Sequence, residues 1–276
     1  MDSYSIALAI PGCGADIRSV QGGRRAVPKA GEAMIDRAFA VLRAFDAGHR
    51  VLSLAGLVQR TGLPHSTALR LARKLTEAGA LERLDDGHYV IGLRLLEIAS
   101  LTPRGHGLRA VAMPYLEDLF HVTHQHILLA VRDGDTATLV ERLSAHNAGP
   151  ALFRVGGRMT LPGTGVGMVL LAHAPADVQE HILERFKPGQ SYDVSTAESL
   201  RRALAEVRRG GYAMGSKSGP QPHTTAAPVR DADGVVAAVS VVAPSADFDA
   251  VIYVPAVRAT ARAISRALND TRQIGS

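Results

Sequence analysis

The sequence predicts an α+β chain in two parts: a small helical part closed by a two-strand ribbon, and a larger part with helices on an antiparallel sheet. Three observations carry this. The chain has 276 residues, which suggests two domains rather than one. Residues 33–91 hold three short stretches of helical period, then two short strands about Asp85-Asp86-Gly87, a hairpin-turn signal. Beyond residue 105, turns at 133–135 and 231–234 each divide two strand-like runs, with helical stretches between the hairpins.

Composition sets the outer bounds. Apolar residues make up 46% of the chain, but aromatics only 4% and Trp none, so the cores must be built from Leu, Val, Ala and Ile. No apolar run reaches the roughly 18 residues of a membrane span. The start, "MDSYSIALAIPGCGADIRSV", has an acid at position 2 and no basic opening, unlike a secretory signal. A single cysteine, Cys13, cannot make an internal disulfide and fits a reducing compartment. A cytoplasmic protein with no membrane partner is expected. Residues 1–28 are punctuated by Gly and Pro without a sustained period and read as a flexible arm.

The helical part spans residues 29–91. "AMIDRAFAVLRAF" places Ile35, Ala38, Phe39, Leu42 and Phe45 at helical spacing. "SLAGLVQR" starts a second helix with Ser53 as N-cap, and Gly62 breaks it. Pro64 suits the first turn of a third helix, which runs to about Ala78 and stops at Gly79. Ala68, Leu71, Ala72 and Leu75 form its inward stripe. Residues 92–104 read as a linker helix ending at Pro103-Arg104-Gly105. In residues 105–276, "LRAVAMPYLEDLFHVT", "GTGVGMVLLA", "PADVQEHILERF" and "AESLRRALAEVRRG" read as helices. "HILLAVRDGDTATLVERL" and "HTTAAPVRDADGVVAAVSVVAP" read as hairpins, and a closing helix carries Pro255 in its first turn or at a kink.

Three helices and a ribbon form the pattern of a winged helix-turn-helix. Charge supports a polyanion partner there: residues 24–109 hold 14 Lys and Arg against 8 Asp and Glu, whereas residues 110–276 hold 16 against 16. A helix fits the major groove of B-DNA and presents its N-terminal residues to the base edges. His65, Ser66 and Thr67 stand at that end of the third helix. Arg70, one turn on, can grip guanine or a phosphate, while Arg73 and Lys74 flank it toward the backbone. In the wing, His88 lies beside Asp85 and Asp86. The alternative is a solvated face on a packed helix.

On these residues the chain resembles transcriptional regulators of the isocitrate lyase regulator (IclR) family. The stretch "TGLPHSTALRLARKLTEAGALERLDDGHYVIGLRLLEIA" is similar to the family's winged-helix signature. "AVRDGDTATLVERL", "VGGRMTLPGTGVGMVLLA", "RRGGYAM" and "TAAPVRDADGVVAAVSVVAP" follow in the family's order. The resemblance covers roughly residues 33–268. It implies a second, GAF-like α/β domain that binds a small organic acid or aromatic effector. It also implies homodimers that pair into tetramers on double-stranded operator DNA, no cofactor and no catalytic residues. Carried over by position, the effector pocket is lined by Thr164, Gly165, Gly167, Met168, Pro228, Ser240 and Val242. Glycines at a helix N-terminus let backbone N–H groups approach an anion; they equally suit a tight turn before a packed helix. Two departures stand out. The stretch "MGSKSGPQPHTT" lacks the acidic pair many members carry, and Met168 replaces a frequent lysine.

Metal binding and catalysis find less support in the residues. His121, His124 and His126 are close in sequence, but a helix end and a strand start between them keep them from converging on a metal. Catalysis by the second domain would need a nucleophile–base set, and none is evident. A constitutive DNA-binding protein with a purely structural second domain is the alternative function.

Overall fold

The computed structural model describes residues 34–46, 48–145, 153–189, 194–216 and 222–274. The expected arm and Cys13 lie outside them. The chain divides into two compact units between Leu95 and Leu96.

The first unit packs α1 (Met34–Arg43), α2 (Leu54–Thr61) and α3 (His65–Glu77) over the ribbon β1 (Leu81–Arg83) and β2 (Tyr89–Ile91). Its core joins Val41, Leu57, Ala68, Leu71, Leu81 and Tyr89. Ser53 caps α2, its Oγ accepting from Gly56 N–H at 3.1 Å, and Gly62 closes that helix at φ 70°. Pro64 stands one place earlier than expected, at the N-cap of α3, where its carbonyl accepts from Ala68 N–H. A link not foreseen in the sequence widens the wing: Leu52 and Tyr89 exchange backbone hydrogen bonds of 3.0 and 2.8 Å.

The α1 stripe is corrected in part. Ala38, Leu42 and Phe45 pack against the core as expected, and Val41 is the buried residue of the helix, while Ile35 and Phe39 are 68% and 51% exposed. Apolar residues occupy two adjacent faces of this helix, so period alone could not choose between them.

Between the ribbon and the larger fold run α4 (Leu93–Ser100) and a single π-type turn, Pro103–Gly107. The second unit is built on a six-stranded antiparallel sheet in the order β5-β4-β3-β8-β7-β6. Its strands are β3 (His126–Asp133), β4 (Thr136–Leu143), β5 (Arg158–Thr160), β6 (Ala213–Ser216), β7 (His223–Asp231) and β8 (Gly234–Ala243). One face packs against α6 (Gly165–Ala172), α7 (Ala176–Glu184) and α8 (Ala197–Gly210). The other packs against α5 (Leu108–Thr123) and α9 (Ala250–Ile274). Both faces are covered, which is why β8 reads as the near-continuous apolar run "GVVAAVSVVA". Alternation then sorts it: Ala238 joins one core, Val239 and Val241 the other. A reciprocal capping box between Thr196 and Ser199 starts α8, and Gly211 at φ 70° ends it. Pro255 falls in the second turn of α9 rather than its first.

Candidate functional sites

Two sites emerge, one in each unit. On α3, Ala68, Leu71 and Ala72 are buried, so the helix is anchored along one stripe. His65, Ser66, Arg70, Arg73 and Lys74 are exposed and Thr67 is half-buried. These residues therefore share the outward face, with the three shortest-reaching positions at the N-terminal end. Their commitments differ. Lys74 Nζ pairs with Glu77 at 2.7 Å, whereas Arg70 has no hydrogen-bond or ionic partner among the described residues. Arg73 lines a small groove with Leu69 and Tyr89 at the base of the wing.

The wing turn is ordered by its own acid. Asp86 accepts from His88 N–H at 3.0 Å, and His88 Nδ1 lies 3.1 Å from the same carboxylate. The N–H bond is the chief cause of a lowered Asp86 carboxyl pKa. His88 thus faces Asp86 at ion-pair distance, while its Nδ1 makes no hydrogen bond among the described residues. Behind α3, Arg60 donates to Ala44 O at 2.7 Å and to Asp46 at 2.5 Å, tying α2 to the end of α1. Desolvation raises the Asp46 carboxyl pKa, but His49, Arg60 and Gly48 N–H outweigh it and hold it at about 2.

In the second unit a cavity of about 360 Å3 opens between α6, α8 and the β6–β7 edge. Of the seven positions expected to line it, Gly165 and Met168 are in its wall. Thr164 serves as the N-cap of α6, with Oγ1 accepting from Gly167 N–H at 3.0 Å. Gly167 is a packing residue: a Cβ there would sit 2.2 Å from Leu161 O. Ser240 lies on the same sheet face, 1% exposed, with its Oγ unpaired among the described residues. Val242 packs beside it against the α6 core. Pro228 lines a different groove, beside α9.

Sequence reasoning missed Thr224, Glu206 and Tyr212, which the structure brings into the wall. Thr224 is the telling one. A Cβ on Gly165 would lie 2.6 Å from its Oγ1, so the missing side chain lets α6 close onto β7. That hydroxyl is buried and without a hydrogen-bond partner among the described residues. The signal was available: Thr224 alternates with Ala226 on β7, but only with the register known does it meet Gly165. The rest of the wall mixes polar surface with the apolar Met168, Val194 and Val207, and its one ionisable carboxylate among the described residues is the exposed Glu206. Residues 217–221 of the "MGSKSGPQPHTT" stretch lie outside the described residues.

The three histidines take separate places. His121 Nδ1 contacts Glu117 O at 2.7 Å, His124 caps α5 in the left-handed region at φ 50°, and His126 is buried at the start of β3 beside Ser144. Among the described residues no helix is long and apolar enough to cross a membrane.

Comparison with known proteins covers both units. The model of the IclR helix-turn-helix domain matches residues 34–85, and that of the bacterial transcriptional regulator IclR C-terminal domain matches residues 102–266. A glycerol operon regulatory protein of Streptomyces coelicolor is 28% identical over 247 residues, covering 86% of this chain and 97% of the relative. An IclR homolog from Microbacterium hydrocarbonoxydans, solved in complex with 4-hydroxybenzoate, superposes with a TM-score of 0.77 at 33% identity. That match covers 86% of this chain and 99% of the homolog. The Thermotoga maritima IclR structure, at 24% identity and a TM-score of 0.67, shares the fold over 85% of this chain and 98% of its own.

Proposed function

Because the chain belongs to the IclR family of bacterial transcriptional regulators, we propose that it reads operator DNA through α3 and senses a small organic molecule in the cavity at the start of α6. Its functional parts are an arm at 1–28, a winged helix-turn-helix at 29–91, a linker at 92–104 and an effector domain at 105–276.

The uncommitted Arg70 on an otherwise anchored helix supports the first half. Guanidinium groups bind guanine O6 and N7 or a phosphate bidentately. Ser66 and Thr67 are short enough to let the helix approach, and Arg73 and Lys74 supply phosphate contact along the flank. Two such helices in a homodimer would enter successive major grooves about one helical turn apart. Exposed Leu93, Leu96, Ile98 and Leu101 on and after α4 support chain pairing.

The unpaired Thr224 Oγ1 is the observation that carries the second half. It meets the first turn of α6, whose N–H groups lack intrahelical acceptors. Around it lies a cavity of mixed polar and apolar lining, within the size range of small-molecule sites. A hydroxyl acceptor or carboxylate on a small aromatic or aliphatic body satisfies both ends. The 4-hydroxybenzoate held by the Microbacterium homolog has that chemistry.

Fluorescence anisotropy with the intergenic DNA beside the gene, against unrelated duplex over a salt series, tests the DNA assignment. Preference that persists at moderate salt is expected; equal binding that vanishes steeply with salt reports phosphate contact alone. A thermal-shift panel of hydroxybenzoates and short organic acids tests the sensor, because a ligand bound only by the folded state raises Tm. A panel without any shift favours the second reading, a constitutive DNA-binding protein with a structural C-terminal domain. Where a ligand binds, its effect on operator affinity must equal the operator's effect on ligand affinity.

A further inference from the structure

On the sheet face opposite the effector cavity, a groove of about 390 Å3 runs between β7 and α9. Its floor is Ala227 and Pro228, and four arginines stand in its wall: Arg230 from β7 and Arg258, Arg262 and Arg266 from α9. The helix places the last three on one face, about 6 Å apart along the axis. The Arg230 backbone is held to α9, its N–H donating to Ser265 Oγ at 2.8 Å while Ser265 donates to Ala261 O at 2.6 Å, but its guanidinium lies 3.0 Å from His173 Nε2 at the end of α6. The Arg258 guanidinium lies 5.8 Å from the centre of the Tyr212 ring.

These charges are not balanced locally. No carboxylate stands in the groove wall, and among the described residues none of the four arginines has an ion-pair partner. Asp231, Asp233 and Asp270 are the nearest acids in sequence, and none of them lines the groove. Residues 110–276 as a whole carry equal numbers of basic and acidic residues. A local excess of cations is therefore a matter of placement rather than composition. Arginine differs from lysine in matching phosphate oxygens with a planar fork, and all four cations are arginine.

We propose that this groove is a second ligand site, for a small molecule that carries a diphosphate. A single phosphate meets one or two guanidinium groups; a diphosphate can engage successive arginines on α9 at once. The apolar floor leaves room for a ring attached to it, as in a nucleoside diphosphate. A groove of about 390 Å3 admits a small anion, whereas a duplex is too wide to enter it. The site is independent of the effector cavity, so failure of one assignment leaves the other standing.

Isothermal titration of the full chain at constant ionic strength with inorganic pyrophosphate, ADP, orthophosphate and succinate tests this. Saturable pyrophosphate or ADP binding is expected, at least tenfold tighter than orthophosphate or succinate. Arg262→Gln with Arg266→Gln, both exposed positions, should weaken it at least tenfold while the melting temperature holds. Arg258→Gln should do the same by removing the cation beside Tyr212, and Thr224→Val should leave it unchanged. ADP binding tighter than pyrophosphate would identify a nucleotide-like ligand, and equal binding the diphosphate alone. Absence of saturable binding, or equal binding by the double variant, overturns the proposal. So does a double variant that loses affinity for unrelated duplex when the parent binds no pyrophosphate, because the face is then a DNA contact.

Discussion

The two helices at the candidate sites, α3 and α6, solve opposite problems. α3 buries only one stripe, through Ala68, Leu71 and Ala72, and leaves its polar side chains to solvent. All eight residues of α6 are buried, and it contributes to its site mainly through what it lacks: side chains at Gly165 and Gly167. A surface helix can change its reactive residues without disturbing its packing. A buried helix cannot, because each atom it adds or removes is met by a neighbour. Stability and function should therefore separate on α3 and stay coupled on α6.

The largest expected effect breaks α6. Leu171 is fully buried among the pocket-side core residues. Leu171→Ala should cost about 2–5 kcal/mol of stability, read as a lower urea midpoint, and ligand binding should weaken with it. A change below about 0.5 kcal/mol would mean that α6 is not packed as described. On α3 the effects should divide. Arg70→Ala should reduce operator affinity by about 1–3 kcal/mol if Arg70 reads a base. Its stability should stay within about 0.5 kcal/mol of the parent, as for most exposed substitutions. Wild-type affinity and sequence preference in that variant would remove Arg70 from the interface.

Thr224→Val sharpens the comparison inside the buried site. The substitution keeps the shape and removes a hydroxyl that has no protein partner among the described residues. Stability should hold or rise slightly, because an unsatisfied buried group is lost. Ligand affinity should fall by about 1 kcal/mol, the net worth of a typical hydrogen bond. Calorimetry on any ligand found by the thermal-shift panel checks this, and unchanged affinity would place the ligand away from Thr224.

The same contrast explains what could be read in advance. The α3 stripe, its polar face, the Gly62 and Gly79 stops and the Asp-Gly turn of the wing are all local signals. Each depends on residues within a few positions of one another. The α6 site depends on register. Gly165 meets Thr224 across 59 positions, through a β7–β8 pairing that sequence period cannot supply. The family resemblance pointed to Gly165 and Met168, which stand in the cavity wall. It did not show that Gly167 faces Leu161, nor that Pro228 lies toward α9. The arginine groove was also illegible, since Arg258, Arg262 and Arg266 read as an ordinary solvated stripe until Ala227 and Pro228 of β7 supply its other side.

The smallest expected effect lies at the far end of α6. His173 follows the helix, with Nδ1 at 3.0 Å from Val169 O and Nε2 at 3.0 Å from Arg230 Nη2. This arrangement needs a neutral ring: Nδ1–H donates to the carbonyl, and Nε2 accepts from the guanidinium. Desolvation lowers the ring's pKa below 6.5, and Arg230 and Arg208 lower it further, against the carbonyl bond that raises it. Below pH 6.5 the unfolded chain takes up this proton before the folded one does. Stability linked to His173 is therefore present above pH 6.5 and declines as pH falls from there toward the lowered folded value. Protonation also removes the acceptor that holds Arg230, so α6 loosens at its C-terminal end, which no comparable group on α3 would report. Urea denaturation between pH 7.5 and 5.5 should show this slope, and His173→Gln should reduce it. An unchanged slope in that variant would assign the pH dependence to another histidine and leave the two helices alike in this respect.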